Sequence, residues 1–204
     1  MANEFLVEVE NVSRPMRADA RRNREQLLEV ASDAFRECGV DASLELIAKR
    51  AGVGIGTLYR HFPSRDALLE AVFRHDVEQV ADSADELLRE MPPDRALDEW
   101  MRRFVNYVAG KKGLATHLKS ILSADSPLFT YAHERMNAAV RGLVLAAAAA
   151  GKIREDVDPT DLLRALSGVC LAADEPGWEE QACRICSLLM DGLRYQMETA
   201  PVHS

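Results

Sequence analysis

The stretch "AGVGIGTLYRHFPSRDAL" (51–68) decides how this chain is read. Glycines surround Val53, about seven residues rich in ring and basic side chains follow, and Pro63-Ser64 interrupts them. Gly52 can end a preceding helix in the left-handed conformation that glycine adopts cheaply. Reading backward, Leu44, Ile47, Ala48 and Ala51 share one face of a helix that Ser43 caps. Further back, Leu27, Ala31, Ala34, Phe35 and Cys38 predict a helix over 19–38, with Gly39 as its stop. The short segment after Gly52 spans about 55–61, with Leu58 and Phe62 one turn apart. Beyond Pro63, Ser64 caps a long helix to about Arg89, striped by Phe73, Val77, Val80, Ala84 and Leu87.

The remaining punctuation continues in this way. Pro92-Pro93 breaks the chain before a fifth helix carrying Leu97, Trp100, Met101, Phe104 and Val108. "GKKG" (110–113) is expected to end it, and Leu114, Leu118, Ile121 and Leu122 mark a sixth. Ser126-Pro127 opens a seventh, running to Gly151. Asp158-Pro159-Thr160-Asp161 is a strong start for an eighth, to about Ala173. "EPG" (175–177) separates it from a ninth over 178–197. No alternating run or hairpin signal occurs. The expectation is an all-α chain of nine helices, with a flexible N-terminal arm at 1–17, a three-helix head at 18–63 and a larger helical domain at 64–204.

Composition narrows the class. With 48% hydrophobic and 28% charged residues among 204, the chain is globular and long enough to bury a core. "MANEFLVEVE" lacks the basic and apolar regions of a secretory signal, and the apolar run "GLVLAAAAAG" (142–151) is half a membrane span. A cytoplasmic protein with no membrane partner is expected. The net charge is -8, yet residues 14–65 hold ten Lys/Arg against seven Asp/Glu. A small basic head on an acidic remainder suits polyanion binding by one end. Cys183-x-x-Cys186 invites a thiol or metal reading. It sits inside a helical pattern without a second pair or a histidine at ligand spacing, and reads as buried small side chains.

Three helices with a glycine turn between the second and third form a helix-turn-helix, whose third helix enters a major groove. Ala48 and Gly52 are small where helices cross, and Val53, Leu58 and Phe62 can anchor the third helix from behind. Ile55, Gly56, Thr57, Tyr59, Arg60 and His61 are left facing outward. They supply hydroxyl, guanidinium and imidazole donors for phosphate oxygens and base edges, and Gly56 lets backbone N–H approach a phosphate. The plainer alternative is a solvated surface helix, which would not require this turn spacing. For Arg14, Arg17, Arg21, Arg22 and Arg24, solubility and a minor-groove contact are equally open readings.

"IAKRAGVGIGTLYRHFPSRDAL" resembles the DNA-binding signature of the tetracycline-repressor (TetR) family of bacterial transcription regulators. The match covers about residues 20–70. "GKIREDVDPTDLLRAL" and "LLMDGLR" resemble an actinobacterial branch of it. The resemblance implies that Ser43 caps the second helix and touches phosphate, and that Thr57, Ile55 and Arg60 lie nearest the bases. It implies phosphate contacts for Tyr59 and His61, with Arg65 in place of the family's usual lysine. The family commonly has Ser or Thr where this chain has Gly54, so the side-chain cap and one phosphate bond are missing there or made by backbone.

One short helix discriminates too little DNA alone, and two-fold pairing on a palindrome is the usual remedy. In the last helix Cys183, Cys186, Met190, Leu193 and Met197 fall at a/d spacing, beside a second stripe of Ala182, Ile185 and Leu189. With Leu163, Leu166 and Cys170 of the helix before it, they are the expected homodimer interface; a thick core without a partner is the competing reading. The resemblance implies that the larger domain binds a small-molecule effector. Candidate wall residues are Trp100, Phe104 and Tyr107, then His117, then Tyr131 and Met136, then Cys170. Trp100 and Phe104 read more readily as core than as pocket, and His117 as a satisfied surface histidine. No cofactor and no metal are implied. His75, Asp76 and Glu78 diverge on a helix, no Glu has a His three residues on, and no phosphate loop or nucleophile motif occurs. The expected function is a repressor released from double-stranded DNA by an effector. The alternatives are a ligand-independent or activating regulator, a helical enzyme, or a metal-binding bundle.

Overall fold

The computed structural model describes residues 4–123, 125–171 and 177–195, with side chains from Asp19 onward other than those of 112 and 171. Every regular element among the described residues is an α-helix, in the order α1 (Glu4–Cys38), α2 (Leu44–Arg50), α3 (Ile55–His61), α4 (Arg65–Glu90), α5 (Pro93–Ile121), α6 (Pro127–Ala149), α7 (Pro159–Leu171) and α8 (Trp178–Arg194). The expected breaks are where the sequence puts them, with two differences. The backbone of α1 is already helical at Glu4, well before residue 19. The stretches read as a fifth and a sixth helix are one continuous α5. Gly110 and Gly113 each cost about 1 kcal/mol relative to alanine in a helix. The burial of Leu114 and Leu118, about 1.5–3 kcal/mol each, offsets that.

The chain divides into two compact units, Met1–His75 with Gly113–Ile121, and Asp76–Lys112 with Leu122–Ser204, so α4 and α5 contribute to both. The core of the first unit consists of Leu27, Leu28, Ala31, Ala34 and Phe35 of α1, Ile47 and Ala48 of α2, Leu58 of α3, and Leu68, Leu69 and Val72 of α4. That of the second is built on Leu87, Trp100, Met101, Val140, Leu143, Leu166, Cys186 and Met190. Among the described residues no helix is long and apolar enough to cross a membrane, and no cluster of His, Cys, Asp or Glu could hold a metal ion. All four cysteines are thiols; Cys38 is exposed, Cys170 and Cys186 are buried and Cys183 is half-buried. Burial, and then the neighbouring thiols, push the Cys186 thiol up to about 11, so it is protonated and inert near neutrality.

Candidate nucleic-acid interface

The head is built around the exit from α2. The Ser43 Oγ accepts from the Leu46 N–H at 3.2 Å and donates to Glu45 Oε2 at 2.9 Å. The Glu45 N–H and this hydroxyl hold the Glu45 carboxyl below its usual range. At the other end Gly52 adopts φ +69°, its N–H donates to the Lys49 carbonyl at 3.1 Å, and the Val53 N–H donates to the Ala48 carbonyl at 3.0 Å. These two bonds are the Schellman closure, which needs a residue tolerant of the left-handed region. The chain thereby reverses in three residues and starts α3 at Ile55.

Helix α3 is held from one side. Leu58 is fully buried, Phe62 is 2% exposed, and the Arg24 guanidinium lies over the Phe62 ring, 5.4 Å from its centre. The opposite face carries Ile55 (37% exposed), Gly56, Tyr59 (47%) and Arg60, while Thr57 and His61 are half-buried. Four of the six residues expected outward are thus exposed. Leu46, 40% exposed on α2, was missed; it lies off the buried face of Leu44, Ile47 and Ala48, and that offset was the signal. Gly54, as expected, gives α3 no side-chain cap, and its carbonyl accepts from Thr57 and Leu58 at 2.8 and 3.2 Å. Arg65 does something the sequence did not indicate: its Nη1 donates to the carbonyls of Val40 and Ala42 at 2.8 and 2.7 Å.

The model for the "Bacterial regulatory proteins, tetR family" matches residues 27–72, and that for the "Transcriptional regulator SbtR-like, C-terminal domain" matches 92–195. The chain belongs to the TetR family. The crystal structure of the TetR transcriptional regulator SCO0520 from Streptomyces coelicolor is 43% identical, with a TM-score of 0.76 over 87% of this chain and 99% of that one. A TetR transcription regulatory protein from Mycobacterium vanbaalenii is 36% identical, with a TM-score of 0.73 over 89% and 100%. An HTH-type transcriptional regulator of Staphylococcus aureus is 44% identical over 64 residues, 31% of this chain. That match spans about a third (35%) of the curated relative's length and falls short of a whole-chain likeness. The family and fold are those of transcriptional regulators, which are not enzymes.

Outside this TetR head, the pocket candidates separate. Trp100 is fully buried and its Nε1–H donates to the Val80 carbonyl at 2.9 Å; its ring stacks on Phe104 at 5.6 Å, and Phe104 lies 6.4 Å from Tyr107. These three rings form a run along α5. Burial, and then the charge of Asp76, push the Tyr107 hydroxyl well above the usual phenol range, so it stays protonated. The Tyr131 hydroxyl donates to Glu78 at 2.8 Å, and Met136 and Cys170 are core side chains. His117 does not join them; it belongs to the first unit, with Nε2 3.4 Å from Asp66 Oδ1. An open groove of about 110 Å³ between α4 and α6, lined by Ala81, Asp85, Arg135, Ala139 and Gly142 among others, holds none of the expected wall residues. The second unit does contain a buried carboxylate that the sequence did not reveal: Asp76 Oδ2 lies 2.6 Å from the Lys111 ammonium.

The residues expected at a dimer interface mostly turn inward. Leu163, Leu166, Cys170, Cys186 and Met190 are buried within the single chain, Cys183 and Leu193 are half-buried, and Met197 lies outside the described residues. The outward face of α8 instead carries Gln181, Arg184, Leu188 (69% exposed), Gly192 and Tyr195 (64%). Helical spacing could not tell which of two adjoining stripes the chain's own core would take.

Proposed function

We propose that this TetR-family chain is a cytoplasmic repressor that binds a palindromic operator as a homodimer and is released by a small-molecule effector. The observation that carries the DNA reading is the exposed face Ile55–Gly56–Tyr59–Arg60 on a helix pinned by Leu58 and Phe62. In this reading Arg60, Ile55 and Thr57 meet base edges, while Ser43, Tyr59, His61 and the Gly56 backbone meet phosphates. A mobility shift at two salt concentrations, on duplexes selected from a random pool, tests it: one preferred palindrome and a steep salt slope are expected. Arg60→Ala is expected to relax preference at particular base pairs, with a loss of about 1–3 kcal/mol. Tyr59→Phe is expected to weaken all sequences alike. A changed sequence choice in Tyr59→Phe would remove its phosphate role.

The dimer is proposed through α7 and α8, centred on Leu188 and Tyr195. An apolar side chain 69% exposed beside a glycine invites close packing of a second copy, and α7 adds the small exposed residues Ala165 and Gly168. Leu188→Glu is expected to shift the protein from dimer to monomer in sedimentation at micromolar concentration; an unchanged dimer places the interface elsewhere. Effector release is supported by the match of residues 92–195 to the C-terminal domain of a TetR-type transcriptional regulator. To weaken operator binding a hundredfold, the effector must favour the released state by about 2.7 kcal/mol.

A further inference from the structure

We propose that Arg65 is a positioning residue of the helix-turn-helix head, which holds the turn between α1 and α2 and thereby sets where α2 stands on DNA. This rests on the DNA-binding reading above. The turn is short: Gly39 takes φ +77°, and the Ala42 N–H donates to the Gly39 carbonyl at 3.2 Å. The carbonyls of Val40 and Ala42 lie outside any helix ladder and need donors from elsewhere. Arg65, half-buried at the first position of α4, supplies both from one guanidinium nitrogen at 2.8 and 2.7 Å.

Ala42 directly precedes Ser43, the residue that caps α2 and is expected on phosphate. The side chain at the head of α4 therefore reaches back across the unit and fixes the entry to α2. A guanidinium suits this task because the two N–H of its terminal nitrogen are fixed in one plane and can meet two carbonyls at once, whereas an ammonium is a point charge on a more flexible stem. Committed to two carbonyls, this nitrogen is turned toward the protein's own backbone. The charge of Arg65 also acts on Glu45, after the Glu45 N–H and the Ser43 hydroxyl, so the first turn of α2 feels it twice.

The test uses the full chain and a duplex that the wild type selects from a random-sequence pool. Affinity is measured across a salt series, and amide exchange at residues 40–46 is followed without DNA. Arg65→Gln is expected to weaken binding tenfold or more at every salt concentration, with the log–log salt slope unchanged and exchange at 42–46 accelerated. Arg65→Lys, which keeps the charge but loses the fixed planar pair of N–H on one nitrogen, is expected to show the same faster exchange and to recover little affinity; it carries the test if Arg65→Gln fails to fold. A phosphate contact would behave otherwise: the slope in Arg65→Gln would flatten by about 0.9, and lysine would restore binding. That result, with exchange unaltered, overturns the positioning role alone. A wild type that binds no duplex at any salt overturns the DNA reading and this role with it.

Discussion

Asparagine in place of Asp76 is expected to lower the stability of the second unit by about 3–5 kcal/mol. Lys111 is 4% exposed, and its ammonium lies 2.6 Å from the Asp76 carboxylate, whose side chain is 11% exposed. Neither charge has much access to water, and each faces the opposite charge of the other. Replacing the carboxylate by an amide leaves an ammonium inside the fold without the opposite charge that faced it. Removing both charges is a different matter. A paired replacement of Asp76 by asparagine and Lys111 by methionine is expected to recover most of the loss, because buried ion pairs are commonly no better than apolar side chains of similar volume. Urea unfolding of the wild type, the two singles and the double closes the cycle. If Asp76→Asn unfolds at the wild-type midpoint, the pair contributes nothing.

Leu58→Ala is expected to cost about 2–5 kcal/mol and to abolish operator binding. Helix α3 has seven residues, far below the length at which a helix persists alone in water. Its order comes from packing, and Leu58 is its one fully buried side chain. Phe62 follows it as the second pin, already engaged beneath Arg24. With the first pin truncated, Ile55, Tyr59 and Arg60 no longer hold a common face. Amide exchange across α2 and α3 should rise, and mobility shifts should vanish even in dilute buffer. Dimerisation read by sedimentation should be unaffected, because the exposed stripe of α8 lies in the other unit. Retained binding by Leu58→Ala would mean that α3 is not the reading element.

The head was legible because its instructions are local. Ser43, Gly52, Pro63 and Ser64 each act within four residues of themselves, and the observed caps fall on them: the Ser64 Oγ accepts from the Ala67 N–H at 3.1 Å, as Ser43 does from Leu46. Asp158 likewise accepts from Thr160 at 2.7 Å at the start of α7. What escaped depends on partners distant in sequence. Gly110 and Gly113 read as a break, and the burial of Leu114 and Leu118 shows why α5 runs through them. Asp76 and Lys111 sit on different helices, and neither flank marks them as a pair. On α8, Cys186 and Met190 fit a coiled-coil spacing as well as Leu188 does, and the core claimed the former. Arg65 was placed only by its likeness to the family's usual lysine, whereas its hydrogen bonds go to two carbonyls in a loop more than twenty residues upstream.

The uneven exposure of the thiols equips the molecule with a tag of its own. Cys38 ends α1 in the open, next to the Glu37–Arg50 ion pair that joins α1 to α2 at 3.0 Å, whereas Cys170 and Cys186 are sealed in the interior. A maleimide dye added briefly under native conditions would mark that position ahead of the others. Its emission would then follow the seam between the first two helices as nucleic acid or a small molecule is titrated in, without a single engineered residue.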